Sequence, residues 1–174
     1  MRDYEAMNPS PPAPNEYQLP STARSGRLET SIVIQRPVQD VFDFMDRPEN
    51  EPIWQPSTRL SEYTSEGPVG VGTTGRSVIS SLFGGEREVT WTITHYEPNH
   101  LASWETNMDG FHTRQSWLYE AVEEGTRVTR TTELVGDFAG FRRLIGKLSM
   151  PLAARMQQNA FRRQLQSLKR LMEA

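Results

Sequence analysis

A chain of 174 residues, 36% hydrophobic and 24% charged, has room for one globular domain and an appendage. It contains no cysteine, which excludes a disulfide framework, a thiolate nucleophile and a Cys-based metal site. A formal net charge of −3 with acids and bases interspersed argues against a general nucleic-acid binder. No apolar run approaches the ~18–20 residues of a membrane span, and the N-terminus lacks the basic-then-apolar order of a signal peptide, so the expected location is the cytoplasm without integral membrane association.

The first 26 residues carry Pro9, Pro11, Pro12, Pro14 and Pro20 and almost no aliphatic side chains. Such a segment cannot bury enough apolar surface to offset the entropy of ordering, and residues 1–26 are expected to be a disordered tail. The ordered domain, 27–174, opens with RLETSIVIQRP, in which Leu28, Ile32 and Ile34 alternate onto one face of a strand. Pro37 then sets up PVQDVFDFMD, with Val38, Val41, Phe42 and Met45 at helical spacing. Pro48 leaves space for at most one more short helical turn before Trp54, which stands between Pro52 and Pro56.

From about Thr58 to Gly136 the pattern is sheet. Six β segments are separated by Gly67-Pro68, Gly84-Gly85, Glu97-Pro98-Asn99, Asp109-Gly110 and Glu124-Gly125. In REVTWTITHYEP the residues Val89, Trp91 and Ile93 share one face and Glu88, Thr90, Thr92 and Thr94 the other, as in a sheet with one covered and one wet face. A long helix follows from Phe138 to Met172, its apolar positions including Leu144, Leu148, Met156, Leu165, Leu168 and Leu171, with arginines and lysines mostly between them. Pro151 is expected to bend or divide it.

One strand, two short helices, six strands and a long helix imply an α+β fold in which a seven-stranded, curved antiparallel sheet wraps that helix. One helix covers only the middle of so wide and twisted a sheet, leaving a gap of roughly 300–1,000 Å³ typical of small-molecule cavities. In order and spacing the chain from about Leu28 to Ala174 resembles the START-like, helix-grip superfamily (SRPBCC, or Bet v 1-like), nearest its bacterial polyketide cyclase/dehydrase branch. The resemblance is carried by Ile34-x-Arg-Pro-Val38 with Val41-Phe42, Trp54, Gly70-x-Gly72, Tyr96-Glu97-Pro98-Asn99-x-Leu101, Gly125-Thr126-Arg127-Val128-Thr129 and Leu165-x-x-Leu168-Lys169-x-x-Met172. It implies a pocket whose rim is formed by the short helices and the loop after them. Trp54 fits the rim aromatic that meets a ligand in that family, or it plugs the sheet end; both roles are open.

Inward strand positions should line the pocket. With Val89, Trp91 and Ile93 inward, Trp91 is a wall; Trp117 and Tyr119 bring Thr113 and Gln115 to the same face, and Val128 brings Arg130 and Thr132. Trp104 shares a parity with Met108 whose side is not fixed, because one bulge inverts every later assignment. Met150 and Met156 would add adaptable thioethers from the helix. The expected ligand-binding residues are therefore Trp54, Trp91, Trp104, Gln115, Trp117, Tyr119, Arg130, Met150 and Met156. Arg130 has a second reading as an outward charge, favoured by the cost of burying an arginine without a partner.

No catalytic or metal constellation emerges: His95 and His100 flank a turn, His112 adjoins Asp109-Gly110, and no H-E-x-x-H, G-x-S-x-G or phosphate loop is present. No cofactor is expected, the partner is a hydrophobic small molecule, and the oligomeric state is not legible. The two functions compatible with the resemblance are a carrier of a polyketide-, lipid- or isoprenoid-like compound and a polyketide cyclase/dehydratase in which Tyr119, Arg130 or His112 assists enolisation or water loss.

Overall fold

A computed structural model describes the backbone of residues 27–80, 85–108, 111–135 and 139–174, and the side chains of 27–80, 85–106, 112–133 and 155–174. The expected tail, 1–26, lies outside these residues. The elements run β1 (Leu28–Ile34), α1 (Val38–Met45), a 3-10 turn (Pro48–Asn50), α2 (Glu51–Trp54), β2 (Thr58–Tyr63), β3 (Thr74–Ser80), β4 (Glu86–Glu97), β5 (Leu101–Met108), β6 (Phe111–Val122), β7 (Gly125–Val135) and α3 (Ala139–Glu173). This is the helix-grip architecture that the sequence pattern implied. Among the described residues no helix is long and apolar enough to cross a membrane.

The seven strands form one antiparallel sheet in the order β1-β7-β6-β5-β4-β3-β2. β1 and β2 follow one another in sequence yet occupy opposite edges, so residues 35–57 must cross the sheet. Their sequence makes a stiff crossing. Pro37 (φ −57°) precedes α1, Arg47 is held extended ahead of Pro48, and the Asn50 Nδ2 donates to the Phe44 carbonyl at 2.8 Å. α1 turns Val41 and Phe42 inward, and Phe42 meets Tyr119 edge-on at 5.2 Å and Tyr96 at 5.9 Å.

Two bulges adjust the alternation, one between Thr58 and Leu60 and one between Ile93 and His95. Before the second, Val89, Trp91 and Ile93 face the concave side; after it the inward residue is Tyr96 rather than His95. α3 runs uninterrupted through Pro151, so the proline does not divide it. A proline removes a single backbone hydrogen bond, which flanking helical turns can tolerate.

The described half of α3 packs Phe161, Leu165 and Leu168 inward, each at most 4% exposed. Met156 lies nine residues before Leu165, about 180° around the helix at 3.6 residues per turn, and is 62% exposed; Leu171 is also exposed. Arg155, Arg162, Arg163 and Arg170 occupy the solvated face. The helix end is tied to β1: Lys169 Nζ donates to the Val33 carbonyl at 2.7 Å, the Gln35 N–H donates to Glu173 at 2.7 Å, and Arg36 Nε caps the Met172 carbonyl at 2.6 Å. The β6–β7 hairpin closes the same corner, with Thr126 Oγ1 donating to the Arg36 carbonyl at 2.8 Å.

Gly125 is the tightest point of that corner. Its φ is +135°, and a Cβ there would lie 2.2 Å from the Ile34 carbonyl oxygen and 2.9 Å from the Arg36 nitrogen. Both obstacles are backbone and cannot rotate away. Gly125→Ala is expected to lower unfolding free energy by about 2 kcal/mol or more in urea titration; a change within about 0.5 kcal/mol would contradict this packing.

Candidate functional site

A cavity of about 200 Å³ lies between the concave face of the sheet and the crossing segment 45–55. It is smaller than the gap expected from the sheet's width because aromatic rings fill much of that space. The rings form a continuous belt. Tyr63 meets Trp91 edge-on at 5.6 Å, Trp91 lies 6.5 Å from Trp104, Trp104 stacks on Trp117 at 6.3 Å, and Trp54 closes edge-on against Trp117 at 5.8 Å. The belt crosses β2, β4, β5 and β6 and ends on α2.

On β3 the belt passes over a glycine. Gly75 pairs with Trp91 across the ladder, and a Cβ at Gly75 would fall 2.1 Å from the indole Cζ2. Absence of a side chain there lets the indole lie across the β3 backbone toward Tyr63. The Trp91 Nε1–H donates to Ser77 Oγ at 3.0 Å, and Ser77 is hydrogen-bonded to the buried Ser61 at 2.9 Å, which fixes the ring's tilt.

Beneath Trp117 lies Arg130, 6% exposed. Its guanidinium sits 3.8 Å from the Phe161 ring centroid and 5.1 Å from that of Trp117, and donates to Gln115 Oε1 at 2.6 Å and Gln164 Oε1 at 2.8 Å. The outward reading of Arg130 is therefore overturned: two glutamines and two rings provide the partners that burial requires. Nε remains without an acceptor. Burial lowers the guanidinium to about 10, while the charge of Glu51 acts the other way, so Arg130 stays cationic at neutral pH.

Two carboxyls complete the lining, Asp46 at the end of α1 and Glu51 at the start of α2. Asp46 Oδ2 accepts the Tyr96 hydroxyl at 2.7 Å, and its carbonyl accepts the Tyr63 hydroxyl at 2.7 Å. Burial raises its pKa above the usual aspartate value, the Tyr96 bond opposes this, and Asp43 adds to it. Burial likewise raises Glu51, offset by hydrogen bonding from Ser61, the charge of Arg130 and the amide of Gln55. The tyrosine hydroxyls of Tyr63, Tyr96 and Tyr119 are pushed up by burial first, and remain protonated donors.

Of the residues singled out by sequence, Trp54, Trp91, Trp104, Gln115, Trp117 and Tyr119 line this cavity. Arg130 stands behind Gln115 and Trp117. Met156 is turned to solvent on the far side of α3, and the Met150 side chain lies outside the described residues. His112 points away from the cavity and pairs with Glu105 at 2.7 Å, beside Arg114. Among the described residues no group of three His, Asp or Glu is arranged to hold a metal. Sequence reasoning missed Asp46, Glu51 and Tyr63. A signal existed for Glu51: it precedes Trp54 by three residues on one helical turn, so a rim tryptophan brings it to the same face.

The chain matches the family model described as polyketide cyclase / dehydrase and lipid transport over residues 25–173. No curated protein matches it. Among solved structures, TTHA0849 from Thermus thermophilus is similar with a TM-score of 0.66 and 16% identity, over 83% of this chain and 95% of that one. The di-domain ARO/CYC BexL from the BE-7585A biosynthetic pathway gives a TM-score of 0.69 and 16% identity, over 86% of this chain but 50% of its own. Ara h 8.0201 gives 0.60 and 15%, over 84% and 97%. At such identities the structural likeness establishes the fold, and the family model, spanning residues 25–173, establishes membership: the chain belongs to the polyketide cyclase/dehydrase and lipid transport family of the SRPBCC superfamily.

Proposed function

We propose that the protein binds a hydrophobic small molecule in this cavity, as a carrier or sequestering protein. The observation that carries the reading is the unbroken belt from Tyr63 to Trp54, which lies along the cavity between sheet and crossing segment. Desolvating a ligand against such walls contributes roughly 25 cal/mol per Å² of apolar area buried, before ordering costs. Gln115, Tyr119 and the hydroxyls of Ser61 and Ser77 supply the few polar contacts that orient it. The polyketide-, lipid- and isoprenoid-like classes named by the family resemblance all have this mixed character.

A second reading, a polyketide cyclase/dehydratase, draws support from the carboxyls of Asp46 and Glu51 inside the cavity and from the ARO/CYC neighbour. A poly-ketone held in a folded shape there would need a proton donor and acceptor for ring closure and loss of water, and raised carboxyls suit that exchange. Incubation with a linear poly-ketone thioester separates the two. Unchanged chain recovered from a stable complex supports the carrier, and an aromatic product with water lost supports the enzyme.

Calorimetric titration with 2-naphthol tests the site itself. Trp117→Ala is expected to weaken binding about tenfold or more, since it removes the ring on which Trp54 and Trp104 both rest. Gly75→Val should drive the Trp91 indole from its bed and also weaken binding. Unchanged affinity in both variants would remove the belt from the binding site.

A further inference from the structure

Resting on the reading that the cavity is a ligand site, we infer that its ligand carries a cationic nitrogen, a protonated amine or quaternary ammonium, on an apolar body. None of the twenty described lining residues is a lysine, arginine or histidine, whereas two are carboxylic acids and six are tryptophan or tyrosine. Ring faces of tryptophan are the best aromatic partners for a cation, most of all where water is excluded. A lining with four tryptophans and two carboxyls offers a cation both kinds of partner. A carbonyl-rich anion would find no positive side chain along the described lining.

The carboxyls are wired as acceptors. Asp46 takes a proton-donating bond from the Tyr96 hydroxyl, and Glu51 takes one from the Gln55 amide. Both bonds favour the ionised carboxylate over a neutral acid that donates. Glu51 feels one cation, Arg130, whose guanidinium is engaged by Gln115, Gln164 and two rings. Asp46 has no cationic partner among the described ion pairs. The titratable groups acting on it or its tyrosine partners are Asp43, Glu49, Tyr63, Tyr96 and Tyr119, all acids. A half-buried carboxylate beside another carboxylate is unfavourable until a cation arrives. Burial, with the charge of Asp43 adding to it, holds Asp46 above its ordinary range.

Benzyltrimethylammonium, benzyl alcohol and phenylacetate share one ring and differ in charge, and the ammonium does not itself titrate. Calorimetry on the full chain is expected to rank the cation roughly tenfold above the alcohol and the anion last. Cation affinity should rise with pH as Asp46 and Glu51, both raised above their ordinary values by burial, ionise, while alcohol affinity stays level. Asp46→Asn and Glu51→Gln should each lower the cation-to-alcohol affinity ratio several-fold; the pH series needs no variant, so it stands even where one misfolds. Equal affinity for cation and alcohol, a preference for phenylacetate, or a cation affinity independent of pH would overturn the inference and leave the cavity reading intact. Binding of none of the three would instead overturn the reading of the cavity as a ligand site, and this inference with it.

Discussion

Sheet order is the constraint from which the site follows. With β1 and β2 at opposite edges of one seven-stranded sheet, residues 35–57 have to traverse its concave side. A flexible crossing would leave the apolar face open to water. The chain supplies α1, a 3-10 turn and a single-turn α2 instead, stiffened by Pro37, Pro48 and Pro52. Trp54, the last residue of α2, is thereby carried over the sheet and set against Trp117, and it is 4% exposed. A large aromatic on a short proline-flanked connector is thus the far pier of a bridge.

What the bridge encloses combines two costs with a use. Buried Arg130 and the lining carboxyls lose solvation, and their direct contacts recover only part of it. A fully apolar interior would be easier to stabilise. The polar groups stand around a cavity whose lining also holds four tryptophans, an arrangement suited to discriminating among ligands by charge as well as by shape. Rigidity serves the same end: Gly75 lets one indole lie flat across β3, and the Ser61–Ser77 pair pins its N–H.

Much of this was legible in the sequence, for physical reasons. Period-two alternation fixed Val89, Trp91 and Ile93, and the parity of Trp117 with Tyr119 carried Gln115 inward, because a strand cannot present neighbours to one face. Alternation stopped being a guide at the bulge after Ile93, where Tyr96 replaced His95 on the inner side. Met156 fell out of phase because the covered face of α3 follows Phe161, Leu165 and Leu168, and hydrophobicity alone did not distinguish that stripe from its neighbour. The lining acids, and the partners that make an inward Arg130 tolerable, were hidden for another reason. Their placement depends on partners from three or four elements, Gln115, Gln164, Tyr96 and Gln55 among them, and no local pattern encodes those meetings.

Family membership and fold leave ligand chemistry to the site itself, since one scaffold of this kind hosts many functions. The most direct test of the central claim, an aromatic cavity that holds a small molecule, is native mass spectrometry of protein isolated under mild conditions, followed by denaturing extraction. The expected result is a species heavier than the polypeptide by one small organic molecule, released at one equivalent on denaturation. A bare polypeptide mass, unshifted by an added panel of aromatic, amine-bearing and lipid compounds, would contradict it and leave the tryptophan belt as core packing.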